Sequence, residues 1–120
     1  MTDITRHDVG ARMSEIAVFN NVVYLAGQVA EVNPDAGITR QTEEVLGHID
    51  RLLAKAGTDK SRILQCQIYL KDIADIAAMN AVWDQWVAGG NTPPRATVQA
   101  ELADSRWRIE VVVCAALPVA

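Results

Sequence analysis

The sequence predicts an α+β fold, a mixed sheet with two helices on one face. Three observations carry that expectation. Short β-prone runs alternate in hydrophobicity along the chain, and two longer stretches carry apolar residues at helical spacing. Clusters of Asn, Asp, Gly and Pro separate them at 20–21, 33–37 and 89–94. The resulting order is β-β-α-β-α-β-β, with a further strand near Ile4, hence six strands. Two helices against one face of such a sheet is the natural packing.

Residues 16–29 read as two strands around Asn20-Asn21, residues that tolerate the positive φ of a two-residue hairpin turn. Val22, Val23, Tyr24 and Leu25 have strong β propensity. Residues 39–56 read as a helix capped by Thr39, with Glu43 and Glu44 near its positive end. Val45, Ile49, Leu52 and Ala56 mark its buried face, and Gly57 stops it. Gly47 inside that helix suggests close approach by another element. Residues 63–70 form a strand, with Leu64, Cys66, Ile68 and Leu70 on one face. Asp72 caps a second helix over residues 73–88, with Ile76, Met79, Trp83 and Trp86 inward. Pro93-Pro94 forbids further helix. Two last strands, 95–102 and 106–117, meet near Ala103-Asp104-Ser105.

A chain of 120 residues, half of them hydrophobic, reads as one domain over 1–120 with a real core. With one Phe, two Tyr and three Trp, the core must be mostly aliphatic. The net charge of −4 and the lack of a Lys/Arg cluster argue against nucleic acid as a partner. No stretch approaches a membrane span, and Met1–Gly10 lacks the apolar run of a secretion signal. Cys66 and Cys114 fit no metal or redox spacing and are expected as buried, reduced thiols in a cytoplasmic protein. His7 and His48 are isolated, so a metal site is not expected.

The last strand exceeds what a generic α+β domain needs. Trp107, Ile109, Val111 and Val113 form one face, and Val112 and Cys114 make the other apolar as well. Two helices cover one face only, so the other packs either against a second copy of the chain or under a loop.

Two residues could do chemistry. Arg95, at a strand start after Pro93-Pro94, is either a solvated or ion-paired side chain or a fork for a small carboxylate. Glu110, alone in an apolar strand, is either one half of a structural ion pair or an acid/base group. If 95–102 and 106–117 form a hairpin with a two-residue loop, Thr97 faces Glu110 at about 5 Å between Cβ atoms, and Arg95 shares their face. A one-residue slip in register would send Glu110 to the other side. Nucleotide-binding and Ser-hydrolase motifs are missing, and neither Cys has an evident His partner.

Four stretches in this order and spacing resemble the Rid (reactive imine/enamine deaminase, YjgF-type) family over nearly the whole chain. They are Asn21-Val22-Val23-Tyr24-Leu25-Ala26-Gly27-Gln28, Met79-Asn80-Ala81-Val82-Trp83, Pro93-Pro94-Arg95-Ala96-Thr97-Val98 and Arg108-Ile109-Glu110-Val111. Ala11-Arg12-Met13-Ser14-Glu15, Ala78-Met79-Asn80 and Trp83-Asp84-Gln85-Trp86 are closest to its YoaB-like subgroup.

The resemblance implies a chorismate-mutase-like fold of the bacillus type. It implies a homotrimer with a central barrel of sheets and sites in clefts between subunits. The implied reaction hydrolyses 2-aminoacrylate-type enamines and imines to 2-keto acids and ammonia, with no metal or cofactor. Carried over by position, Arg95 binds the substrate carboxylate and Glu110 positions or activates the attacking water. Asn80 supports them, and Ala26, Gly27, Thr97 and Met13 line the pocket. Thr97 stands where better-studied members have Cys, and Met13 where they often have Tyr. Arg95 with Glu110 favours the deaminase. Arg95 alone would favour a non-catalytic small-carboxylate sensor, and loss of both a purely structural trimer.

Overall fold

A computed structural model describes residues 3–119. Met1, Thr2 and Ala120, at the ends of the expected 1–120 domain and of the Met1–Gly10 stretch, lie outside the described residues. β1 (Thr5–Val9), β2 (Ser14–Phe19), β3 (Val22–Leu25) and the short β4 (Gln28–Val29) precede α1 (Ile38–Ala56). β5 (Ile63–Leu70), α2 (Ile76–Trp86), β6 (Arg95–Gln99) and β7 (Ile109–Ala116) follow. All strands join one mixed sheet in the order β1-β2-β3-β7-β5-β6, with β4 also on β7. The α+β architecture is as expected. The described residues give seven strands instead of six, because pairing with β7 slips by one residue between Tyr24↔Cys114 and Gln28↔Val111 and leaves β4 as a separate piece.

Local chemistry explains most elements. Asn20 and Asn21 take φ of 52° and 62°, the paired left-handed residues of a tight hairpin that sets Phe19 opposite Val22. Gly57 ends α1 at φ 94°, where a side chain would be strained. The start of α1 differs from expectation. Gly37, not Thr39, is the cap, and no side chain caps it. The loop entering α1 is tied down by Gln41, which is fully buried. Its Nε2 donates to the carbonyls of Pro34, Ala36 and Arg106, and its Oε1 accepts from the Arg108 N–H. A Cβ at Gly47 would meet nothing within 4 Å, so the expected close approach there is absent. The second helix begins as a 3-10 turn over Ile73–Asp75, with Asp72 accepting from the Ala74 N–H, and ends at Trp86.

Two corrections concern register. Leu64 is the extra residue of an irregularity between Ile63 and Gln65, so Ile63 takes the buried place expected for Leu64. More important, β6 does not pair with β7. β5 lies between them, parallel to β6 and antiparallel to β7. The reason is the β5–α2–β6 connection. A helical crossover returns the chain parallel to the strand it left, and β6 therefore docks beside β5.

One face of the sheet is covered. Ile16, Val23, Leu25, Ile68, Val111 and Val113 are buried there with Val45, Ile49 and Leu52 of α1 and Met79 and Trp83 of α2. The other face, carrying Tyr24, Val98, Val112 and Cys114, stays partly or largely exposed. No described helix is long and apolar enough to cross a membrane.

Candidate active site

The residues singled out in the sequence fall into two groups on opposite faces of the sheet. Across the strands, Arg95 aligns with Cys66 and then Val113, and Thr97 with Ile68 and then Val111. Val113, Cys66 and Ile68 are buried on the helix side. Glu110 aligns with Tyr69 and Val98 on the bare side. The expected sharing of one face by Arg95, Thr97 and Glu110 is therefore corrected: the inserted strand β5 changes the parity. Two strand spacings across and three residues along put the Arg95 and Glu110 Cα atoms about 14 Å apart, on opposite sides.

The first group is built around Glu110. Gly27 sits where the chain passes from β3 to β4, and a Cβ there would lie 2.0 Å from Glu110 Oε2. Only glycine lets that carboxylate rest against the strand. Gln28 pins this irregular stretch. Its Nε2 donates to the Ala26 carbonyl at 3.0 Å and to Glu15 Oε1 at 3.2 Å. The Ala26 N–H in turn donates to the Glu15 carbonyl at 2.9 Å. None of the ion pairs among the described residues involves Glu110, so its structural reading as one half of a salt bridge is not met among them. Met13 is largely exposed ahead of β2, and its carbonyl accepts from the Gly10 N–H.

The second group is built around Arg95. Its guanidinium carbon lies 5.0 Å from the centre of the Trp83 ring, and no ion pair among the described residues engages it. Thr97 Oγ1 is buried without a hydrogen-bond partner, a costly state unless something completes the site. Asn80 is half-buried on α2, one turn before Trp83. Cys66 is the cross-strand neighbour of Arg95. Burial pushes its thiol up to about 12, although the nearby Arg95 pulls the other way, so it is no nucleophile at neutral pH. Cys114 is also a free thiol, half-buried rather than buried as expected.

Sequence reasoning put Trp83 in the core and missed that its ring also supports Arg95. Gln28 and Glu15 carry no hydrophobic spacing that marks them as framing residues, and their role shows only once β2 and β4 are placed. The search for apolar periodicity also left out Gln41. A separate polar cleft of about 570 Å³ lies among Pro34–Gly37, Lys71, Gln99, Arg106 and Arg108. Its arginines are already engaged, Arg106 by Asp104 and Asp35 and Arg108 by Asp75.

The arrangement thus offers an open guanidinium fork beside a buried hydroxyl, and a carboxylate seated on bare backbone. Comparison with known proteins agrees with the motifs that carry these groups. Residues 4–117 match the family described as Endoribonuclease L-PSP. A RutC family protein of Haemophilus ducreyi is 50% identical, covering 95% of this chain and 97% of its own. The RutC family protein YoaB of Escherichia coli K12 is 44% identical, with coverage of 95% and 98%. The crystal structure of NMB1025 from Neisseria meningitidis, a member of the YjgF protein family, superposes with a TM-score of 0.93 at 44% identity, covering 98% of each chain. On this match over almost the entire length, the chain belongs to the Rid family, also called YjgF or RutC, among relatives of the YoaB type.

Proposed function

We propose that the protein hydrolyses reactive 2-imino and 2-enamino acids of the 2-aminoacrylate type to 2-keto acids and ammonia. In this reading it works as a homotrimer of single Rid-type domains in the cytoplasm, with small 2-imino and 2-keto acids as its ligands and neither nucleic acid nor membrane as a partner. The observation that carries the reading is the pair of unengaged charges. Arg95 is held by a ring face and Glu110 by a glycine, so neither is used up by an ion pair inside the described chain.

Because the two groups lie on opposite faces, they meet only when the Arg95 edge of one copy docks against the Glu110 corner of the next. Such a head-to-tail contact, repeated around a closed ring, makes one complete site per interface. The bare sheet face would be covered in the same step.

The chemistry then needs few parts. Arg95 takes the substrate carboxylate with two parallel N–H donors, and the Thr97 hydroxyl finds its partner there. Solvent protonates the enamine carbon, giving the protonated imine. Glu110 accepts a proton from water as the water oxygen bonds to the imine carbon. Returned to nitrogen, that proton makes the amine a leaving group; as the C–N bond breaks, Glu110 takes the hydroxyl proton, the C=O forms, and the proton passes to the departing ammonia, leaving a keto acid and ammonium. Asn80 supports the pocket, and Ala26 with Gly27 lines its other wall. Met13, exposed in the single chain, would reach the substrate only in the assembly. Although the family's description names an endoribonuclease, the net charge of −4 speaks against an RNA substrate.

The test couples the purified protein to a dehydratase that releases 2-aminoacrylate and follows keto-acid formation. The wild type should speed release, and Arg95→Ala should abolish the gain. If the wild type leaves release unchanged yet binds pyruvate, the site is a sensor.

A further inference from the structure

We infer that Trp83 is the positioning residue of the carboxylate anchor, an inference that rests on the role of Arg95 proposed above. Trp83 is only 6% exposed, and the Arg95 guanidinium carbon lies 5.0 Å from its ring centre. A guanidinium carries its five N–H donors in its own plane. A cation–ring contact does not tie those donors to a hydrogen-bonding partner and so leaves them available to a ligand. A carboxylate partner would do the reverse, fixing the side chain by occupying its donors. Among the described residues no such partner engages Arg95.

The ring is itself held. Trp86 stands 5.3 Å away at 51°, and its Nε1 donates to Asp50 Oδ2 at 2.9 Å. Lys60 Nζ lies 5.2 Å from the Trp86 ring centre. A row of Lys60, Trp86, Trp83 and Arg95 therefore links the end of α1's connection to the first residue of β6. An arginine on an edge strand is otherwise a mobile chain, and ordering it would weaken binding. Trp83 orders the fork before a ligand arrives. The ligand it suits is a small 2-oxo or 2-imino carboxylate, met edge-on by two donors.

The test compares full-length wild type, Trp83→Phe and Trp83→Leu. Pyruvate affinity is measured by calorimetry, kcat and KM in the coupled assay, and unfolding by heat. Affinity should fall in the order Trp, Phe, Leu. Leu should weaken pyruvate binding and raise KM about five- to thirtyfold, with kcat changed less than about threefold. A purely packing role would lower the unfolding temperature but leave pyruvate affinity and KM alone at temperatures where the protein is folded, and that result overturns the inference. Should the Leu variant not fold, Phe decides alone: its affinity must drop about two- to fivefold, and no drop overturns the inference. Equal KM in all three proteins with deamination intact would remove this role and leave the proposed reaction. Pyruvate binding in the stated order without ammonia release would do the opposite. A wild type that does not bind pyruvate overturns the inference outright.

Discussion

The two faces of the sheet are finished to different degrees. On the helix side, Ile16, Val23, Ile68 and Val111 are sealed by the chain's own helices. On the other side Tyr24 is 50% exposed and Val98 45%. At about 25 cal/mol per Å² of apolar surface, the first face stabilises the fold within one chain, while the second gains only from a further partner. The candidate chemistry divides along the same line. Arg95 and Thr97 stand at the edge of the finished face, and Glu110 with Gly27 on the unfinished one. The fold is an intramolecular property of this chain, and the proposed site is not.

The sharpest way to break that comparison is to mix two dead proteins. Arg95→Ala and Glu110→Ala should each lose deaminase activity by a factor of about a hundred or more, since each removes a charged partner. If every site takes Arg95 from one copy and Glu110 from the next, unfolding and refolding them together in equal amounts should restore about a quarter of wild-type activity, one interface in four receiving both groups. No recovery, with mixed assemblies verified by mass spectrometry, would place both groups in one chain and sink the division.

A smaller effect probes the unfinished face. Gly27→Ala would put a methyl 2.0 Å from Glu110 Oε2, and the carboxylate must swing aside. Activity should fall about ten- to a hundredfold, at about 1–2 kcal/mol in stability. Pyruvate affinity should hold, because Arg95 is untouched. A parallel loss of pyruvate binding would show that the two groups are not separately supported.

Much of this was legible in the sequence, and the failures have physical causes. Asn20-Asn21 announced its hairpin because positive φ at two successive residues leaves few other choices. Gly57 announced the end of α1 for a similar reason. Arg95 stands out at a strand start after two prolines, Glu110 as a lone carboxylate in an apolar strand, and Gly27 through the family resemblance; each of those signals is local. Pairing is not local. Nothing near Thr97 or Glu110 says that β5 comes between them, and only the β5–α2–β6 crossover does so. The start of α1 was misplaced because a helix can be fixed by a buried Gln41 one turn in, where apolar spacing gives no signal.

Gln41 allows the finished face to be tested by itself. Replacing it with Leu keeps the volume and leaves the carbonyls of Pro34, Ala36 and Arg106 and the Arg108 N–H without their side-chain partner. The expected cost is about 3 kcal/mol, or about 10 °C in unfolding temperature. At 25 °C the folded fraction should still assemble and turn over substrate. Loss of assembly before loss of fold would mean that the helix-side frame also sets the interface.

The smallest effect concerns acid. Burial pushes the Glu44 carboxyl up, but hydrogen bonds from the Val32 and Asn33 N–H groups, the Asn33 amide and His48 outweigh it and hold the group below its ordinary value. A carboxyl with a lowered value in the folded state favours folding fully above the unfolded value, about 4.3. That contribution fades as pH falls through the lower, folded value. The urea midpoint should therefore drop between about pH 5 and 3, and Glu44→Gln should flatten part of the drop while costing about 1 kcal/mol at pH 7. Glu44 ties the 32–33 segment to α1, so its acid response belongs to the chain and not to the interface. Sedimentation over the same range separates the two. If the assembly dissociates first and Glu44→Gln changes nothing, the acid-sensitive groups lie on the bare face, and the completed face is not where this protein first gives way.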